Sequence, residues 1–129
     1  MRAGFPAALL IAIAALALGA CGSDETSVAG KPGATPSIER GGQLFAERCS
    51  GCHQLDVVGA EGGALKVPDR EKVDGPNFNV RPEEKDQILY AIRNGGFSGA
   101  IMPENIVVGQ DAQDVAEFLA KYAGKGEGN

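Results

Sequence analysis

Cys49-Ser50-Gly51-Cys52-His53 sets the terms for the rest of the chain. Two thiols separated by two residues, with a histidine directly after the second, meet the requirements for covalent haem attachment. Each sulfur forms a thioether with one vinyl group, and the imidazole ligates the iron. His53 is the single histidine among 129 residues, so its place immediately after Cys52 does not reflect abundance. Taken alone, the two cysteines also suit a structural disulfide or a thiol-redox pair outside the cytoplasm. A thioredoxin-like site belongs beside a βαβ pattern, however, and none is present. A structural zinc site needs four ligands, and no second Cys or His cluster completes one.

Composition agrees with a small domain built around a cofactor. Trp is absent, there are five Phe and two Tyr, and 19 glycines dilute the remaining apolar side chains. A core drawn from Ser37–Asn129 is therefore thin, and a large apolar ring at its centre would supply buried surface that the side chains lack.

Upstream of this domain the chain reads as an export leader. Met1-Arg2 is followed by an apolar run from Ala7 to Ala20. As a helix it reaches about 21 Å, too short for a hydrocarbon core of about 30 Å. A short transmembrane anchor is the alternative, and Leu18-Gly19-Ala20-Cys21 decides against it. That tetrapeptide resembles the bacterial lipoprotein signal, in which the cysteine thiol is lipidated before cleavage ahead of it. Residues 1–20 are then the signal peptide and Cys21 the lipidated N-terminus, which accounts for an odd third cysteine in an exported chain. Gly22–Pro36 is rich in Gly, Ser, Thr, Ala and Pro, and reads as a flexible tether with a root-mean-square span of about 20 Å. The folded domain is expected over residues 37–129.

Within that domain the pattern is helical. Ser37 is placed to cap a helix running to about Cys49, with Glu39 in its first turn and Gly41 and Gly42 inside it. Those glycines cost helix propensity, roughly 1 kcal/mol each against Ala, and suggest a face that a second helix crosses closely. From Asp111 to about Ala123, the residues Val115, Phe118, Leu119 and Tyr122 recur at helical spacing, with Asp114, Glu117 and Lys121 on the opposite face. Arg81-Pro82-Glu83-Glu84 reads as a helix start and Asn94-Gly95-Gly96 as its stop. Between His53 and Pro76 no helical or alternating pattern holds. The fold class is all-α.

Iron bound by His53 has a second axial position. Met102 is the only methionine apart from Met1, and it sits before Pro103 in the irregular segment Phe97–Pro103, which follows Gly95-Gly96 and contains Gly99. A lone Met is commonly core filler. With no other histidine in the chain, its thioether is the candidate for the second axial position, and such a soft, neutral ligand raises the reduction potential.

The domain resembles a class I, monohaem cytochrome c over most of residues 38–123. The motifs are Gly41-Gly42-x-x-Phe45, Cys49-x-x-Cys52-His53, Gly75-Pro76-Asn77, Ile92-Arg93-Asn94-Gly95 and Met102-Pro103. The resemblance implies a small helical fold whose N- and C-terminal helices cross beside one covalent haem c. Gly42 and Phe45 would meet Phe118 or Tyr122 at the crossing, and Pro76 would pack against His53. The long segment from Leu55 to Asp74 departs from the family pattern, as a surface insertion or a partner-binding loop.

The function implied is one-electron transfer, not enzymatic catalysis, by a protein anchored on the outer face of a bacterial membrane and serving respiratory or dehydrogenase partners. Should Met102 not ligate, a five-coordinate haem would make a gas sensor or weak peroxidase. A haem-free Cys49/Cys52 redox or structural module is a third reading. Loss of Arg2 with the leader leaves a net charge near −6, which speaks against nucleic acid as a partner.

Overall fold

The computed structural model describes residues 27–62, 75–97 and 101–126. The leader, Cys21 and most of the Leu55–Asp74 departure lie outside them. In chain order the described elements are α1 (Pro36–Arg48), β1 (Gln54–Leu55), a 3₁₀ turn (Asp56–Val58), β2 (Ala60–Glu61), α2 (Lys85–Asn94) and α3 (Gly109–Tyr122). The mainly helical architecture expected from sequence is the one observed.

α1 begins two residues earlier than expected. Pro36 has no N–H to lose and a φ already suited to the first helical position, so Thr35 becomes the cap and its hydroxyl accepts from Ile38 N at 3.3 Å. Ser37 is thereby released from capping. Its Oγ lies 2.7 Å from Asp114 Oδ1 and 2.8 Å from Glu117 Oε2, tying the first turn of α1 to α3.

The α1–α3 crossing depends on the two glycines. A Cβ on Gly41 would collide with the Asp114 carbonyl, and one on Gly42 would press on the Phe118 ring at 3.2 Å. Phe45, one turn further on, is fully buried and meets Phe118 at a centroid distance of 5.7 Å. The helix-propensity cost read from the sequence is thus offset by close backbone approach and aromatic packing.

Asp114, expected on a solvent face, is 3% exposed. The closeness of Gly41 places it inside the contact, where Ser37, Gln110 Nε2 at 2.8 Å and Arg40 Nε at 3.5 Å surround its carboxylate. A buried carboxylate persists only when so partnered.

The second half of the expected tether belongs to the fold. Val28, the one large apolar side chain between Gly22 and Pro36, is fully buried and lies over Gly42. Backbone bonds from Lys31 N to Val28 O and from Ala34 N to Lys31 O close the turn that carries it into α1.

The stretch after His53 is also more ordered than its pattern suggests. β1 and β2 pair antiparallel, Leu55 opposite Ala60, around a turn closed by Gly59 at φ 63°. Two-residue strands are too short to display alternation. Phe78 N bonds Gln54 O at 2.9 Å, and Asn79 exchanges two bonds with Asp56 at 2.8 Å each, so the hairpin clamps the segment 75–79.

α2 starts at Lys85, three residues after Pro82, because Glu84 and Gln87 form a reciprocal capping box that outweighs the proline signal. It stops where expected, at Gly95 in the left-handed conformation.

Gly41→Ala should destabilise the holoprotein by about 1–3 kcal/mol, the usual cost of overpacking a close contact. Gly51→Ala, whose added methyl meets nothing within 4 Å, should stay within about 0.5 kcal/mol. Denaturant titration of the two variants provides the comparison. Glu117 accepts hydrogen bonds from Lys85 Nζ and Ser37, which hold its carboxyl below the ordinary value of 4.5. Its contribution is complete above that value and is lost as pH falls through the depressed one. Glu117→Gln should flatten the acid limb of the stability profile.

Candidate functional site

The end of α1 delivers the attachment segment. Cys49 N still bonds Phe45 O at 2.8 Å, and then Cys52 N and His53 N both bond Cys49 O, at 3.1 and 2.9 Å. This tight turn brings Cys49, Cys52 and His53 onto the wall of one cavity of about 330 Å³. Its apolar interior is formed by Phe45, Ile88, Ile92, Ile106, Val115 and Leu119, from all three helices and the chain before α3.

His53 is held on three sides. Its ring stacks on Phe78 at 4.7 Å and 14°, and its Nδ1–H donates to Pro76 O at 3.1 Å. Gly75 passes so close that a Cβ there would strike the imidazole. Gly75 N in turn bonds Cys52 O at 2.9 Å, locking that strand of chain beside the attachment turn. With Nδ1 committed as donor, Nε2 keeps its lone pair for a metal. Burial pushes the His53 pKa down from its ordinary value, partly opposed by the Pro76 carbonyl and the Glu83 carboxylate, which favours the neutral ring. The contact between Pro76 and His53 implied by the family resemblance is present.

Cys49 and Cys52 form no disulfide. Burial, with a smaller effect from Cys52, pushes the Cys49 thiol up to about 12.

Met102 lines the same cavity, half-buried against the core. The end of α2 holds its segment. A Cβ on Gly95 would lie 2.7 Å from Met102 O, and Asn105 N bonds Ile92 O at 2.7 Å. The structure thus brings Cys49, Cys52, His53 and Met102 to one cavity, while Cys21 lies outside the described residues.

Arg48, Arg81, Glu83 and Gln87 also line this cavity, which the sequence reading did not foresee. Arg48 looked like an ordinary cation at a helix end, and Arg81 and Glu83 like a helix start. Arg81 Nε pairs with Glu83 Oε1 at 2.6 Å, with Glu83 nearly buried. Cations at the rim of an apolar cavity suit a ligand that is flat and greasy at its centre and carboxylated at its edge. Phe97 and Ile101 also line the cavity while 62% and 64% exposed, and Tyr90 stacks on Phe97 at 5.2 Å. An imidazole with a fixed tautomer, two thiols and a thioether around an apolar cavity fit covalently attached haem.

Comparison with known families matches residues 38–123 to the cytochrome c family. Among solved structures, the c-type cytochrome SorU from Sinorhizobium meliloti superposes with a TM-score of 0.55 at 27% identity. The match covers 71% of this chain and 97% of that one. No curated protein matches.

Gly75→Ala should displace the imidazole and cost about 1–3 kcal/mol of holoprotein stability. Haem-stained denaturing gels and thermal melts of the purified variant would read the loss. Unchanged haem content and melting temperature would contradict the close approach.

Proposed function

The chain belongs to the cytochrome c family and takes covalently bound haem c, and on that premise we propose that it is a one-electron carrier with His53 and Met102 as the axial ligands. When bound, the haem iron supplies reversible exchange between ferric and ferrous states. Cys49 and Cys52 hold the group by thioether bonds. His53 presents Nε2 in a direction set by Pro76 O and Phe78, and Met102 offers a thioether whose softness favours ferrous iron. Ile88, Ile92, Val115 and Leu119 keep water from the interior, which limits reorganisation on electron exchange. The exposed edge near Phe97 and Ile101 gives partners access.

The observation that carries this reading is that the lone imidazole and the lone mature thioether line one cavity with both thiols. Two protein ligands leave no open coordination position for a substrate, so the protein works as a carrier and not as an enzyme. Its partners are redox proteins at the outer face of a bacterial membrane, where a lipid on Cys21 retains it once residues 1–20 are removed. The mature chain is acidic, and these partners dock through a basic or largely apolar patch.

Met102→Ala should retain covalent haem and lower the potential by more than about 0.1 V, a fraction of the roughly 0.8 V range spanned by axial ligands. Reduced variant should bind carbon monoxide, and reduced wild type should not. Ready carbon monoxide binding by wild type would instead favour a five-coordinate sensor or peroxidase.

A further inference from the structure

Among the described residues lining the haem cavity, Glu83 is the one acid, and the chain gives it little freedom. Its side chain is 8% exposed. The segment before it is pinned on two sides: Arg81 N bonds Asn77 O at 3.2 Å, and a Cβ on Gly124 would strike Pro82. Immediately after it, Glu84 caps α2. Glu83 therefore cannot swing out to water without undoing the entry to that helix.

A carboxylate in an apolar wall is costly unless partnered. Its partner is Arg81, whose Nε lies 2.6 Å from Glu83 Oε1 and whose side chain is 53% exposed. Replacing such a pair by apolar side chains is often neutral for a fold, so stability supplies no reason for its presence. Electrostatics at the cavity does. Engaged through Nε, Arg81 still has donors for a second carboxylate, since the guanidinium fork carries five N–H groups and one bidentate contact uses two. Arg48, the other cation on the wall, comes from the end of α1. The Glu83 charge also reaches His53, whose pKa it raises against the effect of burial.

We propose that Glu83 is a positioning residue that aims Arg81 at a haem carboxylate, and that its buried charge lowers the reduction potential against the upward pull of Met102. This rests on the carrier reading above and adds which side chains set the potential. A fixed negative charge stabilises ferric iron over ferrous, whose site carries one positive charge less. Arg81, by offsetting both Glu83 and the haem carboxylate, holds that effect in check.

Covalent haem and resistance to carbon monoxide in wild-type holoprotein test the carrier reading alone. The roles of Glu83 and Arg81 are read from holoprotein variants poised with redox mediators at the wild-type midpoint potential. Glu83→Gln keeps an acceptor for Nε and loses the charge, so its ferric-to-ferrous ratio should fall at least about threefold. Arg81→Gln should raise the ratio by a similar factor, and Arg81→Lys, which keeps the charge, should restore most of it. Glu47→Gln removes the same charge from an exposed position off the cavity wall and should change the ratio by less than about 1.5-fold. Proton resonances of the haem carboxylate side chains should move further in Glu83→Ala, where Arg81 loses its hold, than in Glu83→Gln. A Glu83→Gln ratio no different from that of Glu47→Gln, an Arg81→Gln ratio that falls, or equal displacement of those resonances in the two Glu83 variants would overturn the proposal.

Discussion

The close approach of α1 and α3 at Gly41 is the constraint on which the rest depends. Where a methyl group would strike the Asp114 carbonyl, two helices from opposite ends of the domain touch backbone to backbone. That contact seats Phe45 beneath Phe118 and aims the end of α1, with its thiols and imidazole, at a cavity whose far wall is the Val115–Leu119 side of α3. A wider crossing would open the cavity and separate the attachment turn from the apolar surface it serves. The polar cluster of Ser37, Asp114, Gln110 and Arg40 fixes the register of the crossing, since a buried carboxylate tolerates no slip away from its donors.

Aromatic packing carries this order to the site. Tyr122, Phe118, Phe45 and Phe78 form successive ring contacts of 5.3, 5.7 and 6.0 Å, and Phe78 then stacks on His53. The imidazole is therefore supported from the helix crossing as well as from the adjacent Pro76. In a chain poor in large apolar residues, this concentration of rings at one place gives the proximal side a rigidity that the glycine-rich composition otherwise denies it.

Much of this was legible in the sequence, and the reasons differ by element. The pentapeptide, the apolar spacing of α3 and the Gly95 stop each have a direct physical signature, and the helix crossing could be anticipated from Gly41 and Gly42 through the family resemblance. Thr35 was missed as a cap because Ser37 is an equally good capping residue, and only the preference of Pro36 for the first helical position separates them. Asp114 was placed outside because periodicity assigns a face without knowing how near the neighbouring helix comes. Val28 was left in the tether because one valine among small residues carries no periodic signal. Its burial is set by a slot over Gly42 that exists only once α1 has packed. Arg81 and Glu83 were hidden among helix-start signals that the capping box at Glu84 overrides.

The contact between Gly41 and Asp114 joins residues from the two ends of the domain. A polypeptide emerging N-terminus first presents Cys49–His53 long before α3 exists to cover the cavity, and closure of so distant a pairing waits for the last segment to arrive. During that interval the two sulfurs and the imidazole sit on an open, unpaired chain. The order of delivery thus gives the attachment chemistry a window before the domain shuts, without any separate device to hold it open.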